Sequence, residues 1–216
     1  KPLFPTSVYA ISKQDQEQYC LVVGRAYGIP TVALRYFNVY GTRQALSNPY
    51  TGICAIFSSR LLQDQAPMIF EDGEQTRDLI HVSDIVQANL LALEKDTADY
   101  QALNVGTGRP TSVREVARLL TEGLGKDLQP EVVGKYREGD IRHCFADISR
   151  ARKLLGYEPK VSVEEGLKRV DETIDLKGGF VIPPLARSAS RGRCSQTWRP
   201  GTVVRPQRSV TTPPHM

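Results

Sequence analysis

The 216-residue sequence predicts an α/β protein with a mainly parallel sheet. Helical and strand patterns alternate along the chain with short connections between them, which is the order that crossover helices and parallel strands require. Two Ser-x-x-Glu sequences, at Ser112 and Ser162, are capping boxes that mark the starts of two helices. A content of 40% hydrophobic and 24% charged residues is typical of a globular domain.

The chain begins with a predicted helix followed by a predicted strand. The helix covers residues 7–27, where apolar residues recur with helical spacing, and Gly28 and Pro30 end it. Residues 31–37 are β-branched or aromatic and are bounded by turn residues, which favours a strand. A loop rich in Gly, Asn and Pro follows, and a second helix is predicted over residues 53–63.

The second part of the chain repeats this alternation. Strands are predicted over residues 68–70, 79–82 and 102–105, and helices over 84–94, from Ser112 to near Gly123, and from Ser162 to about Asp175.

Residues 178–216 differ in composition from the rest. They hold six Arg and six Pro, with no Lys, Asp or Glu. Without those six Arg the other residues carry 22 basic and 24 acidic side chains, so the net charge of +4 belongs to this segment. We predict a disordered basic tail, because this composition cannot bury a core. A nucleic-acid-binding arm is the alternative, but no aromatic pattern supports it, and we predict no nucleic-acid partner.

The cysteines and the hydropathy indicate a cytoplasmic protein. No apolar run approaches the roughly 20 residues of a membrane-spanning helix, so no membrane partner is predicted. The four cysteines lack Cys-x-x-Cys spacing, which favours reduced thiols and no metal site: Cys20, Cys54, Cys144 and Cys194.

Tyr9 and Lys13 lie four residues apart and therefore share one face of the first predicted helix. A phenolate can take the proton of an alcohol as hydride leaves the carbon, and a nearby ammonium group stabilises that phenolate. By itself, the pair is equally compatible with a solvated helix face.

Five further motifs follow in a fixed order: LRYFNVYG at 34–41, DGEQTRD at 72–78, HVSD at 81–84, NVGTG at 104–108 and REGD at 137–140. With Tyr9 and Lys13, this series resembles the extended short-chain dehydrogenase/reductase family, and within it the NAD-dependent sugar-nucleotide epimerases. The resemblance covers roughly residues 5–177. The stretches 9–18, 41–52 and 139–147 look like dTDP-L-rhamnose 4-epimerases, whose close relatives act on UDP-sugars.

The resemblance implies a cofactor side and places five residues on it. Tyr9 matches the catalytic base, and Lys13 matches the residue that binds the nicotinamide ribose. Phe37, Asn38 and Val39 match the segment that lines the nicotinamide of NAD.

The resemblance also implies a nucleotide-sugar side. Asn38, Arg77 and Arg137 match groups that hold the diphosphate, for which planar, permanently charged guanidinium groups are well suited. Phe70 matches the position beside the base, and Asp140 a carboxylate that contacts ribose or orients the neighbouring Arg.

Each of these side chains has a structural interpretation outside the motif series. Arg77 and Asp78 could form a surface ion pair, Asn38 could cap a turn, and Phe70 could belong to the core. His81 is expected to be structural rather than catalytic.

The resemblance further implies two domains and a tail. Residues 1–40 and 79–107 match the C-terminal part of a Rossmann-like NAD-binding domain. Residues 41–78 and 108–177 match a small α/β sugar-nucleotide-binding domain, and residues 178–216 form the predicted tail.

The implied activity is epimerisation at C4 of a nucleotide sugar through a transient 4-keto intermediate. The family's glycine-rich phosphate turn and its catalytic Ser or Thr are expected upstream of Tyr9, outside these 216 residues. We therefore expect weak binding of NAD by this chain alone. The alternatives are a 4,6-dehydratase, which needs an Asp-Glu pair in that upstream segment, and an inactive truncated remnant. Family members dimerise through a bundle that would include residues 7–27, so a homodimer is expected.

Overall fold

The computed structural model describes residues 3–42, 44, 52–135, 140–171 and 202–204. In chain order the helices are α1 Val8–Ala26, α2 Ile53–Leu62, α3 Val82–Glu94, α4 Val113–Gly123, α5 Ser149–Leu155 and α6 Val163–Asp171. The strands are β1 Thr31–Tyr36, β2 Asn38–Tyr40, β3 Met68–Ile69, β4 Thr76–Arg77, β5 Leu79–His81, β6 Gln101–Val105, β7 Thr111–Ser112, β8 Glu131–Val132, β9 His143–Cys144 and β10 Thr202–Val204. None of the helices in these ranges is long and apolar enough to cross a membrane.

The fold class predicted from the sequence is confirmed. Strands β1 and β6 pair in parallel from Val32 opposite Gln101 to Tyr36 opposite Val105. Strands β2 and β5 also pair in parallel, as do β3 and β8. A further sheet has the order β7-β4-β9, with β4 antiparallel to β7 and parallel to β9.

Part of the segment predicted as a disordered tail differs from the prediction. Thr202–Val204 forms strand β10, which pairs antiparallel with β1 so that Thr31 lies opposite Val204. The physical reason is that β1 has β6 on one side only, and three β-branched residues can complete the hydrogen bonding of its other edge. The remaining residues of 178–216 lie outside the described residues.

Helix α1 begins and ends as the sequence predicts. The Ser7 hydroxyl accepts a hydrogen bond from the Ala10 amide at 3.1 Å, and Gly28 leaves the helix with a φ of 64°. The helix then runs antiparallel to β1, with Glu17 paired to Arg35 by two hydrogen bonds of 2.6 Å each.

Two clusters of buried hydrophobic residues support the elements. The first packs β1, β5 and β6 against α3 and α5; its largest members are Val32, Leu34, Ile80, Ile85, Leu103, Val105, Ile148, Leu155 and Tyr157. The second packs α2, α4 and α6 around Tyr40, Phe57, Leu61, Ile69, Leu79, Val116, Leu120 and Leu167.

Helix α6 approaches strand β2 at a glycine. A Cβ atom on Gly166 would overlap the Tyr40 hydroxyl. Tyr40 is buried, its hydroxyl donates to the Ser162 carbonyl at 3.4 Å, and its ring meets His81 edge to face with centroids 5.5 Å apart. The glycine therefore lets the helix pack directly against the strand that carries Asn38.

Candidate functional site

The candidate residues of the cofactor side follow the carboxyl end of β1. The Phe37 amide donates to the Val105 carbonyl at 3.1 Å, and the Asn38 amide donates to the Asp78 carbonyl at 3.0 Å. The chain thus leaves the β1–β6 sheet at Phe37 and joins β5 at Asn38. Ligands of parallel α/β sheets bind at this end of the strands.

Asp78 is the structural centre of this junction. Its carboxylate is fully buried and accepts four hydrogen bonds: from the Thr107 amide at 2.8 Å, the Thr107 hydroxyl at 2.7 Å, the Gly108 amide at 2.9 Å and the Ala146 amide at 3.0 Å. The alternative of a surface ion pair between Arg77 and Asp78 is therefore wrong. Because neighbouring strand residues point to opposite faces, burial of Asp78 turns Arg77 away from the core.

Arg77 is instead paired with Asp140. Its Nη2 lies 2.9 Å from Asp140 Oδ1, and its Nη1 donates to the carbonyls of Thr76 at 2.9 Å and Arg142 at 3.1 Å. These bonds leave the Nε–H and one Nη2–H of Arg77 without an acceptor among the described residues. The remaining N–H groups of a fixed guanidinium can bind phosphate oxygens.

Asn38 and Phe70 are both exposed. Asn38 belongs to β2 and lies opposite Leu79 of β5. Leu79 follows Arg77 by two residues, and Arg77 is paired with Asp140, so Asn38, Arg77 and Asp140 lie in the same region. Phe70 follows β3 with 43% of its surface exposed, which excludes the alternative of a core residue. Its carbonyl accepts a bond from Gln75 Nε2 at 2.8 Å. Arg137 lies outside the described residues.

The turn after Phe70 contains interactions that the sequence analysis missed. Arg142 Nη1 lies 2.8 Å from Glu71 Oε2, and its Nη2 lies 2.7 Å from Asp72 Oδ2. The hydrogen bond from Arg142 holds the pKa of Asp72 below its ordinary value and raises that of Arg142. Nothing in the sequence spacing joins positions 70 residues apart, so only the fold could identify this contact.

Tyr9 and Lys13 share one face of α1, as predicted. Lys13 Nζ lies 5.4 Å from the centroid of the Tyr9 ring, within the range of a cation–π interaction. Tyr9 is 71% exposed. Because Glu17 is paired to Arg35 near the carboxyl end of β1, Lys13 lies about 6 Å and Tyr9 about 12 Å farther along the helix axis. Both residues therefore lie farther along α1 than Glu17, in the direction of the carboxyl end of β1, and no contact among the described residues joins them to Phe37.

The arrangement fits the nicotinamide end of NAD. Phe37 and Val39 are half-buried against the first cluster and offer an apolar wall, while Tyr9 and Lys13 remain accessible to a ligand. His81 is buried at the N-terminus of α3, where its Nδ1 accepts from the Ser83 amide at 3.3 Å. This position agrees with the expected structural role of His81.

Comparisons with known proteins identify the family of this chain. A family model described as GDP-mannose 4,6 dehydratase matches residues 1–170. A putative UDP-glucose 4-epimerase of Methanocaldococcus jannaschii is 39% identical over 170 residues, which cover 78% of this chain and 53% of that protein. A dTDP-L-rhamnose 4-epimerase of Burkholderia thailandensis is 36% identical over 163 residues, covering 76% of this chain and 45% of that protein.

Solved structures of epimerases are also similar to this chain in sequence and in fold. The crystal structure of a UDP-glucose 4-epimerase from Thermotoga maritima with UDP-glucose has 44% identity and a TM-score of 0.74 over 78% of this chain and 53% of that one. Other similar structures are epimerases in complex with NAD. The chain spans about half the length of the curated relatives it matches. Within that half, the motifs, the fold and the relatives agree, and the chain belongs to the extended short-chain dehydrogenase/reductase family of NAD-dependent sugar-nucleotide epimerases.

Proposed function

We propose that this chain carries the nucleotide-sugar-binding groups and the catalytic Tyr9–Lys13 pair of an NAD-dependent sugar-nucleotide 4-epimerase. The observation that supports this most is the proximity of Asn38, Arg77 and Asp140, which follows from the pairing of Asn38 with Leu79, and Arg77 is oriented by a 2.9 Å ion pair. A guanidinium held in this way is organised for a diphosphate before the ligand arrives.

Each residue has a defined part in the proposed binding mode. Arg77 binds the diphosphate through its two remaining N–H groups, with Arg137 as the second guanidinium. Asn38 donates its side-chain amide to the same group, and Asp140 contacts the ribose while it orients Arg77. Phe70 lies against the base, since it is exposed on the turn adjoining this region.

The proposed chemistry at C4 is a transient oxidation. When bound, NAD⁺ would supply the acceptor and donor of the hydride at C4, and it would be held by Tyr9, Lys13, Phe37, Asn38 and Val39. Tyr9 removes the proton of the C4 hydroxyl and later returns it, and the Lys13 ammonium stabilises the phenolate between these steps. Arg77 and Asn38 retain the nucleotide while the 4-keto sugar turns.

The sugar and the base are proposed more broadly. A UDP-sugar or dTDP-L-rhamnose fits the same groups, because none of the described residues that we assign contacts the sugar ring beyond Tyr9. A 4,6-dehydratase remains the alternative reaction, and an inactive remnant the alternative for the chain by itself. We also propose a homodimer through α1, which exposes Val8, Tyr19 and Val22.

Titration calorimetry of the 216-residue chain with UDP-glucose and with dTDP-L-rhamnose tests the binding proposal. We expect Arg77→Ala to weaken binding about 10- to 100-fold, the effect of losing charge-assisted hydrogen bonds. Arg118→Ala is the matched control, because Arg118 is also ion-paired but lies on α4, which carries none of the assigned residues. Equal affinities of the two variants, or no binding by the unmodified chain, would contradict the proposal.

A further inference from the structure

Glu71 has an unusual backbone conformation in the turn that carries Phe70. Its φ is 55°, in the left-handed region that favours glycine. Among the described residues only Asp64 and Tyr100 share this property with it outside glycine. Asp64 follows the end of α2, where a left-handed Asp is common, whereas Glu71 lies in the turn after β3 and has a longer side chain that favours this region less. A strained residue next to a binding group indicates that the surrounding structure holds it there.

The backbone on one side of Glu71 is held by a parallel ladder. Beyond the paired residues of β3 and β8, the Val133 amide donates to the Ile69 carbonyl at 2.9 Å, and the Glu71 amide donates to the Lys135 carbonyl at 2.7 Å. The ladder ends there, because the left-handed conformation of Glu71 redirects the chain into the turn at Asp72 and Gly73.

The side chain of Glu71 is held by Arg142. The Arg142 guanidinium is ion-paired with the Glu71 carboxylate at 2.8 Å and with the Asp72 carboxylate at 2.7 Å. It therefore binds two successive residues of the turn. The Glu71 side chain is 24% exposed, so this pair is partly shielded from solvent.

Arg142 also joins this turn to the diphosphate side through its backbone. The Arg142 carbonyl accepts the Arg77 guanidinium at 3.1 Å and the Thr76 amide at 3.0 Å. Asp140, the partner of Arg77, precedes Arg142 by two residues. A single residue thus contacts the Phe70 turn with its side chain and the Arg77–Asp140 pair with its main chain.

We propose that the Glu71–Arg142 ion pair is a positioning device for nucleoside diphosphate binding. By joining Glu71 to Arg142, whose carbonyl accepts from Arg77, the pair fixes the distance between Phe70, on the base side, and Arg77 with Asp140, on the diphosphate side. Glu71 and Arg142 act through these neighbours and do not contact the ligand. The proposal rests on the proposed nucleotide-sugar function of the same site.

The test is a titration of the full 216-residue chain with UDP, using Glu71→Gln, Glu71→Gly and the control Glu74→Gln. Glu74 lies in the same turn and pairs with Arg114 at 3.0 Å, so its variant makes the same charge change without touching the Arg142 contact. We expect Glu71→Gln and Glu71→Gly to weaken UDP binding about two- to fivefold, as loss of a partly exposed ion pair predicts. Glu74→Gln should bind UDP as the unmodified chain does.

Thermal unfolding of the same variants separates positioning from a general effect on stability. Glycine removes the strain of the left-handed conformation, so the unfolding midpoint of Glu71→Gly should exceed that of Glu71→Gln by about 2 to 4 °C. UDP affinity would then depend on the carboxylate at position 71 and fall in both variants. The unfolding midpoint would depend on the backbone conformation and differ between the two variants. A purely structural role would move both quantities in the same direction.

Four results would overturn the proposal. Tighter UDP binding by Glu71→Gln would mean that the released Arg142 contacts the ligand directly. Wild-type affinity in Glu71→Gly, or an equal loss in Glu74→Gln, would mean that the ion pair does not position the site. If the unmodified chain does not bind UDP, the proposed function fails, but the device is still tested without ligand. Hydrogen exchange of the Glu71 amide should then be faster in Arg142→Gln, and unchanged exchange would overturn the proposal.

Discussion

The nucleotide side and the cofactor side of this molecule differ in how far the described chain completes them. On the nucleotide side, Arg77, Asp140 and the Phe70 turn are bonded to one another or to their neighbours through ion pairs and backbone contacts. On the cofactor side, Tyr9 and Lys13 project from a helix of which only Leu21 and Gly24 are buried. Helix α4, by contrast, buries five of its 11 residues.

The difference shows that two halves of one site can depend on very different interactions. Burial in a second cluster fixes the nucleotide side, whereas the register of α1 on β1 places Tyr9 and Lys13, the proposed catalytic pair. Burial of a whole apolar cluster, at about 25 cal/mol per Å², outweighs one partly buried ion pair, so we expect the nucleotide side to be the more rigid of the two.

The largest expected effect is on the free energy of unfolding and concerns Asp78, which lies at the junction of the two sides. Asp78→Asn should lower the free energy of unfolding by about 2 to 4 kcal/mol, because an amide cannot accept all four bonds and leaves buried donors unsatisfied. Urea denaturation measures this change. Asp147→Asn is the control, since Asp147 accepts from Ser149 at the surface. Similar losses in both variants would mean that Asp78 is not the junction that the hydrogen bonds suggest.

A smaller effect is expected for helix α1, which carries the proposed catalytic pair. Glu17→Gln removes the charge of the pair with Arg35 and should speed amide exchange across α1 by about 3- to 10-fold, since this pair is partly buried. Exchange in α4 should stay unchanged. Mass spectrometry of deuterated peptides measures both helices in one experiment, and an equal change in α4 would remove the contrast between the two sides.

The smallest effect concerns acid titration of the Phe70 turn. Since Arg142 lowers the pKa of Asp72 in the folded state, the stabilisation is fully present above the ordinary value of 3.8. It is lost as the pH falls below 3.8 and through the lowered folded-state pKa. Carbon NMR of the Asp72 carboxyl should therefore show titration below 3.8, and in Arg142→Gln a return towards that value. A titration unaffected by Arg142→Gln would contradict the pairing.

The sequence predicted the long elements and the residues that carry a chemical motif. Helix α1 and helix α4 have caps, Ser7 and Ser112, whose side-chain chemistry can be recognised in the order of the residues alone. Strands β4 and β9 have two residues each and were not predicted, because so short a stretch displays no period. Helix α5 was missed as well, because its seven residues hold too few turns for a clear apolar face.

The partners of charged residues could not be predicted in the same way. Asp78 is next to Arg77 in the sequence, but its side chain is buried and does not pair with Arg77. Arg77 pairs instead with Asp140, which is 63 residues away in the sequence. The contact of Arg142 with Glu71 depends on the parallel pairing of β4 with β9. Sequence spacing reports neighbours on one element, whereas these pairs depend on how separate elements are assembled.

The close approach of α6 to β2 has a consequence for how this chain can diverge. Since a side chain at Gly166 would occupy the volume of the Tyr40 hydroxyl, the two positions cannot drift independently. A larger residue at position 166 can be accommodated only if a smaller residue replaces Tyr40. If position 166 changes first the core is overpacked, and if Tyr40 changes first a cavity is left. Homologous chains should therefore change these two positions together. The constraint on strand β2 then comes from packing against α6 and not from ligand binding.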